Sequence, residues 1–299
     1  VQCAAMRRAR CNERYLPSFA LPPALGLAAE LAEAVDRCEL ALVAVTTSAL
    51  RTTLRQLARL GSTPAVIWLC KGFEPGSAKL PHEVCGEELP GSIARGALSG
   101  PSFAEEVARG LPTAVTLAAE DEAFARAVAL QLHAKTFRVY SSGDVIGVEV
   151  AGAVKNVMAI AAGICDGLKL GHNARAALIT RGLAEMTRLG VALGGRPETF
   201  MGLAGAGDLI LTCTGDLSRN RRVGLRLAQR IPLPTILSEL GHTAEGVHSA
   251  REVAKLADAR GVDMPITRAV CRVLYEETAA GDAVEELLSR EPTAEHRAG

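Results

Sequence analysis

The residues best suited to chemistry in this chain are a few polar groups set among apolar or glycine-rich neighbours. Lys155 stands in the run Val148 to Ala161, which is apolar nearly all round and so predicts a buried helix. Gly152, Lys155, Asn156 and Ala159 fall at helical spacing, on one small-and-polar stripe. A buried lysine is costly unless it is paired or neutral. Burial lowers its pKa and suits it to proton transfer. A lysine that snorkels or pairs structurally would satisfy the same pattern.

Asp208 follows three glycines in Gly202-Leu-Ala-Gly-Ala-Gly207, a stretch that permits close backbone approach. It could orient a buried lysine, or it could simply cap the next helix. Ser218-Arg219-Asn220-Arg221-Arg222 enters a helix, where arginine forks and free N–H groups suit an oxyanion. Taken alone, that run is equally a solvated basic face. Lys71-Gly72 and Ser99-Gly100-Pro101-Ser102 each close a short apolar run, offering hydroxyl and backbone groups to a small polar ligand or serving as ordinary turns.

These residues must be held by two kinds of element. Leu40–Val45 and Ala65–Leu69 are short continuous apolar runs, as in strands buried on both faces of a parallel sheet, and Arg95–Ser99 reads as a third strand. Ala114–Leu117 and Phe137–Tyr140 are weaker strand candidates. Helical patterns alternate with the runs, over Leu25–Val35, Leu50–Leu60 and Glu122–Ala134, which implies an α/β sheet. Leu16–Pro23 holds three prolines and predicts a loop. From Ile146 onward only helical patterns remain. The expected division is an α/β domain over residues 1–142 and an all-α domain over 143–299, with a frayed tail from Pro292.

Ligands of α/β sheets bind outside the carboxyl ends of the strands, where Thr46 to Ser48, Lys71 and Ser99 to Ser102 fall. A dinucleotide-binding domain usually opens with strand, G-x-G-x-x-G and helix. That motif is absent, and Gly26 is the only glycine in the first 60 residues. The chain also begins inside what reads as a helix. The expectation is a domain that lacks its first strand and glycine-rich turn.

Composition narrows the class. Basic and acidic residues balance at 33 each, against the net basic balance usual in nucleic-acid binders. The eight cysteines form no C-x-x-C pair and the six histidines no H-E-x-x-H pair, so no metal site is expected. Free thiols, no signal-peptide layout and no charge-free apolar stretch of ~18 residues predict a cytoplasmic chain without stable membrane insertion.

In order along the chain stand KGFEP, SGPSFAEEVARGLPTAV, GVEVAGAVKNVMAIAAGICDGL, NARAALITRGLAEMTRLG, FMGLAGAGDLILTCTGDLSRNRRVG, EGVHSAREV and MPIT. This ordered set resembles the bacterial NAD(P)-dependent glycerol-3-phosphate dehydrogenases from about Arg10 to about Leu287. The resemblance implies a Rossmann-like dinucleotide-binding domain followed by an all-α domain for substrate binding and dimerisation. It implies reduction of dihydroxyacetone phosphate, a small phosphorylated three-carbon substrate, to sn-glycerol 3-phosphate for phospholipid synthesis. The cofactor would be NAD or NADP, with NADP favoured, and the assembly a homodimer.

By family role Lys155 is the catalytic proton donor and acceptor. It also matches a substrate-binding position, as do Lys71, Gly100, Ser102, Asp208, Ser218, Arg219 and Asn220. Lys71, Ala104, Arg219, Thr243 and Glu245 match positions that touch the dinucleotide, Thr243 within a variable stretch. Against the family pattern roughly 40 residues are expected to be missing before Val1, about one βαβ unit. The alternatives are a catalytically impaired product that keeps the helical domain's interactions, or a related hydroxyacid or ketopantoate-type reductase.

Overall fold

The computed structural model describes residues 2–61, 63–241 and 244–290. Two strands, β1 (Cys11–Asn12) and β2 (Leu16–Ala20), form a small antiparallel pair near the start. Five more form one sheet in chain order: β3 (Leu40–Val43), β4 (Ala65–Trp68), β5 (Arg95–Ser99), β6 (Thr113–Ala118) and β7 (Phe137–Ser142). β3, β4 and β5 are mutually parallel, β6 runs against β5, and β7 is parallel to β6. Register pairs Val43 with Trp68 and Trp68 with Ala97, so the first three strands leave the sheet at one level.

Two local expectations fail. Leu16–Ala20 is strand, not loop, because Pro17 sits on a two-stranded edge where no N–H is required of it. Only Leu31–Val35 of the predicted Leu25–Val35 helix forms, since Pro22, Pro23 and Gly26 leave the preceding stretch irregular. The predicted tail from Pro292 lies outside the described residues.

After β7 every described element is helical. The helix Val145–Gly167 is the axis of this half. It runs about 35 Å at ~1.5 Å per residue, and it is buried at every position from Gly147 to Cys165. By length and composition it could cross a membrane, but 94% of its most apolar window is enclosed by the protein's own helices. Asp144 caps it, accepting from the Gly147 N–H at 2.8 Å, the Arg196 N–H at 2.8 Å and the Thr199 hydroxyl at 2.5 Å. One side chain thus fixes both the helix start and the turn entering Pro197–Met201.

The helix Arg219–Ala228 lies directly on this axis. At Gly163 a Cβ would fall 2.0 Å from the Arg221 carbonyl oxygen, and at Gly224 one would fall 2.0 Å from that of Ile160. Only glycine allows two backbones to meet so closely. Between Leu203 and Gly207 the chain makes a single π turn, then passes into the helix Asp208–Thr214. Such turns recur at functional sites, where they re-aim the helix beyond them.

Candidate active site

The polar centre lies where β4 and β5 end against the long helix. Asp208, 1% exposed, opens its own helix, yet its carboxylate serves two lysines rather than a cap. Lys155 Nζ donates to one oxygen at 2.7 Å and Lys71 Nζ to the other at 2.7 Å. Lys155 also donates to Thr212 Oγ1 at 3.0 Å, one helical turn beyond Asp208. The Thr212 hydroxyl in turn donates to the Asp208 carbonyl at 2.6 Å. Lys71 donates to the Gly100 carbonyl at 3.1 Å, an oxygen that also accepts from Ser102 Oγ at 3.0 Å. Gly100 has φ +137°, and a Cβ there would lie 2.9 Å from the Val115 backbone, so this turn requires glycine.

Burial lowers the Lys155 pKa to about 8, despite the neighbouring Asp208 carboxylate, and the Lys71 charge adds to the lowering. Burial opposes ionisation of Asp208, but the two ammonium groups outweigh it and hold the carboxyl below its ordinary range. A lysine that loses its proton near neutrality, held by a fixed carboxylate, is equipped for general acid–base work.

A second set of contacts ties this centre to the helical half. Asn156 Nδ2 donates to the Lys71 carbonyl at 3.2 Å, and Asn220 Nδ2 donates to Asn156 Oδ1 at 2.9 Å. Asn220 Oδ1 accepts from the Gly246 N–H at 3.0 Å. Ser218 caps the helix Arg219–Ala228 by accepting from the Arg221 N–H at 3.2 Å, leaving the first N–H groups of that helix uncapped. Arg221 is spent elsewhere, with its guanidinium on Asp166 and Asp216. The Arg219 side chain is exposed and, among the described residues, makes no hydrogen bond or ion pair. Its charge is felt by Glu245, whose carboxyl burial nevertheless raises, and which accepts from the Thr47 N–H at 3.2 Å.

Most of the sequence-predicted residues therefore converge. Lys71, Gly100, Ser102, Lys155 and Asp208 form one network, and Asn220 joins it through Asn156. Ser218, Arg219 and Glu245 stand at its helical rim. Ala104 opens the exposed helix Ala104–Ala108, two residues after Ser102. Thr243 lies outside the described residues. Thr212 is a site residue that sequence reasoning missed, although its spacing of four from Asp208 on a helix places the two on one face.

A nicotinamide cofactor needs polar groups at the carboxyl ends of β3 to β5. Two buried hydroxyls there, Thr47 Oγ1 and Ser99 Oγ, have no hydrogen-bond partner among the described residues. With Lys71, Ala104, Arg219 and Glu245 they fit the reactive half of a dinucleotide. Among the described residues no G-x-G-x-x-G turn follows a strand to take its pyrophosphate.

Two family models match this chain. The NAD-dependent glycerol-3-phosphate dehydrogenase N-terminus spans residues 1–125, and the C-terminus of the same enzyme spans 144–285. The chain belongs to the NAD-dependent glycerol-3-phosphate dehydrogenase family. Glycerol-3-phosphate dehydrogenase [NAD(P)+] of Nitrosospira multiformis is 63% identical over 286 residues, 96% of this chain and 86% of the relative. The Thiobacillus denitrificans enzyme of the same name is 60% identical, over 97% of this chain and 88% of that one. The crystal structure of glycerol-3-phosphate dehydrogenase from Coxiella burnetii superposes with a TM-score of 0.92 at 43% identity, covering 97% of this chain and 89% of the other. The fold expected from sequence, a Rossmann-like α/β half followed by a helical half, is that of the glycerol-3-phosphate dehydrogenases.

Proposed function

We propose that this chain reduces dihydroxyacetone phosphate to sn-glycerol 3-phosphate with NAD(P)H, supplying glycerophospholipid synthesis. One observation carries the reading: two lysines share the buried Asp208 carboxylate beside a helix start bearing Ser218, Arg219 and Asn220. An acid–base pair and an anion-binding terminus side by side suit a substrate with a carbonyl at one end and a phosphate at the other.

A nicotinamide bound beside this centre would supply the hydride. Lys155 gives its proton to the substrate oxygen as negative charge develops there. Lys71 stabilises that charge from the strand side. Asp208 aims both ammonium groups, and Thr212 fixes the angle of Lys155. The uncapped N–H groups of the helix Arg219–Ala228, with the Arg219 guanidinium, hold the phosphate. Gly100 and Ser102 line the strand side of the substrate, and Ala104, Arg219 and Glu245 border the dinucleotide.

The division after Ser142, the homodimer and the cytoplasmic setting belong to the same reading. Sedimentation of the purified chain tests the dimer. The activity itself is tested by measuring dihydroxyacetone-phosphate-dependent oxidation of NADPH and NADH by absorbance. A folded chain that binds NAD(P)H and oxidises neither form with this substrate would refute the reading.

A further inference from the structure

Glu149 lies on the long helix six residues before Lys155, is 5% exposed, and takes no part in the chemistry above. A buried carboxylate is costly unless donors surround it. Two come from His82, whose backbone N–H lies 2.8 Å from one oxygen and whose ring Nδ1 lies 2.5 Å from the other. The indole of Trp68 is the third neighbour. Burial raises the Glu149 carboxyl pKa; His82 chiefly, and the Trp68 indole least, act against that rise, although the Trp68 N–H lies outside hydrogen-bond geometry. Trp68 ends β4, three residues before Lys71, and His82 stands in the first turn of the helix Pro81–Glu88.

Three successive turns of the long helix therefore touch the same stretch of chain. Glu149 meets Trp68. Gly152 meets Lys71 and Ser99, since a Cβ there would lie 3.4 Å from Lys71 Cγ and 3.2 Å from Ser99 Oγ. Asn156 meets the Lys71 carbonyl at 3.2 Å. The spacing of 149, 152 and 156 is one face of a helix. Along this seam the segment carrying Lys71 lies on the helix carrying Lys155. Asn156 supplies the hydrogen bond to Lys71 itself, and Glu149, at the end away from Asp208, supplies two to His82 on the helix that follows β4.

We propose that Glu149 is a positioning residue that, through His82, pins the helix of Lys155 to the segment that follows β4 and Lys71 and so keeps both lysines on Asp208. The inference rests on the reductase reading above for its kinetic arm only. A displacement of about 1 Å at reacting groups costs on the order of a hundredfold in rate, and the pin acts on that displacement rather than on ligand contact.

The test compares Glu149→Gln with the unaltered 299-residue chain. With saturating dihydroxyacetone phosphate and NADPH, kcat falls ~10-fold or more while both KM values stay within about twofold. Without cofactor, acylation of Lys155 by acetic anhydride at pH 8, read by mass spectrometry, changes rate by at least ~3-fold, because its reactivity depends on its contact with Asp208. Circular dichroism corrects both values for folded fraction. Unchanged kcat and unchanged labelling overturn the proposal, as does a loss that vanishes on that correction. If Glu149→Gln does not fold, His82→Gln keeps the backbone donor and removes the ring. It then gives a smaller kcat loss, ~3-fold, with a labelling change in the same direction, and wild-type values for both overturn the pin. Labelling needs no turnover, so failure of the reductase reading and failure of the pin give different results.

Discussion

Lys71 and Lys155 come from the two halves of the chain and end on the two oxygens of one carboxylate, each 2.7 Å from Asp208. Lys71 leaves a strand of the sheet and Lys155 projects from the buried helix, so the centre exists only when the halves are docked. Breaking a buried pair by removing one member leaves an uncompensated charge. Here the carboxylate keeps one partner if either lysine is lost.

That redundancy makes Lys155→Ala a clean test. The fold should persist through the Lys71–Asp208 pair while kcat falls by ~10²–10⁴, the usual worth of a positioned acid or base. The pH profile gives an independent check. Burial brings the Lys155 pKa down to about 8. As a donor it must enter protonated, so ketone reduction declines as pH rises through about 8, and the reverse oxidation gains over the same interval. Steady-state rates in both directions measure this, and a Lys155→Ala variant that keeps the wild-type profile would assign proton transfer elsewhere.

Arg219→Ala should raise KM for the phosphate substrate by ~10–100-fold, the loss of one charge-assisted contact. Labelling of Lys155 should not change, because Arg219 does not touch the lysine pair. An unchanged KM would move the phosphate away from the start of this helix.

Gly224→Ala places a methyl 2.0 Å from the Ile160 carbonyl oxygen. Overpacking of this kind costs about 1–3 kcal/mol, and here the obstacle is backbone, which cannot swing aside. Denaturant titration should give a lower midpoint with an unaltered slope. A midpoint equal to that of the unaltered chain would mean that the two helices separate freely.

Glu185 ties two helices of the second half together, accepting from the Ile266 N–H at 2.6 Å and from the Thr267 N–H and hydroxyl at 3.2 Å. Burial raises its carboxyl from 4.5 to about 7. An acid raised on folding contributes stability that is full below its unfolded pKa and fades as pH rises through the folded value. The Tm of the wild type, relative to Glu185→Gln, should therefore decline between about 4.5 and 7. Calorimetry across that range decides it, and a difference that grows with pH would reverse the sign.

Much of this was legible in the sequence. The apolar runs at Leu40 and Ala65 predicted parallel strands; β4 is buried as expected, whereas β3 lies at the sheet edge with Leu42 47% exposed. Lys155 and Asp208 stood out as charges where apolar or glycine-rich neighbours made charge expensive. Other features depended on tertiary partners. β2 carries a proline and no buried residue, so nothing local marked it as a strand. Thr212 looked like any helical threonine until Lys155 was brought to it. Glu149 and His82 are 67 residues apart, and only docking of the first helix after β4 onto the long helix brings them together.

The crossing at Gly163 and Gly224 has one further effect. The long helix carries the proton donor, and the helix laid against it begins with the residues proposed to grip the phosphate. Since the two meet main chain to main chain, the separation between donor and grip is a fixed gauge that side-chain repacking cannot widen. Selection among phosphorylated ketones is then a matter of molecular length. A homologue one carbon longer or shorter could still be bound at its phosphate, but its carbonyl would stop short of the ammonium or overshoot it.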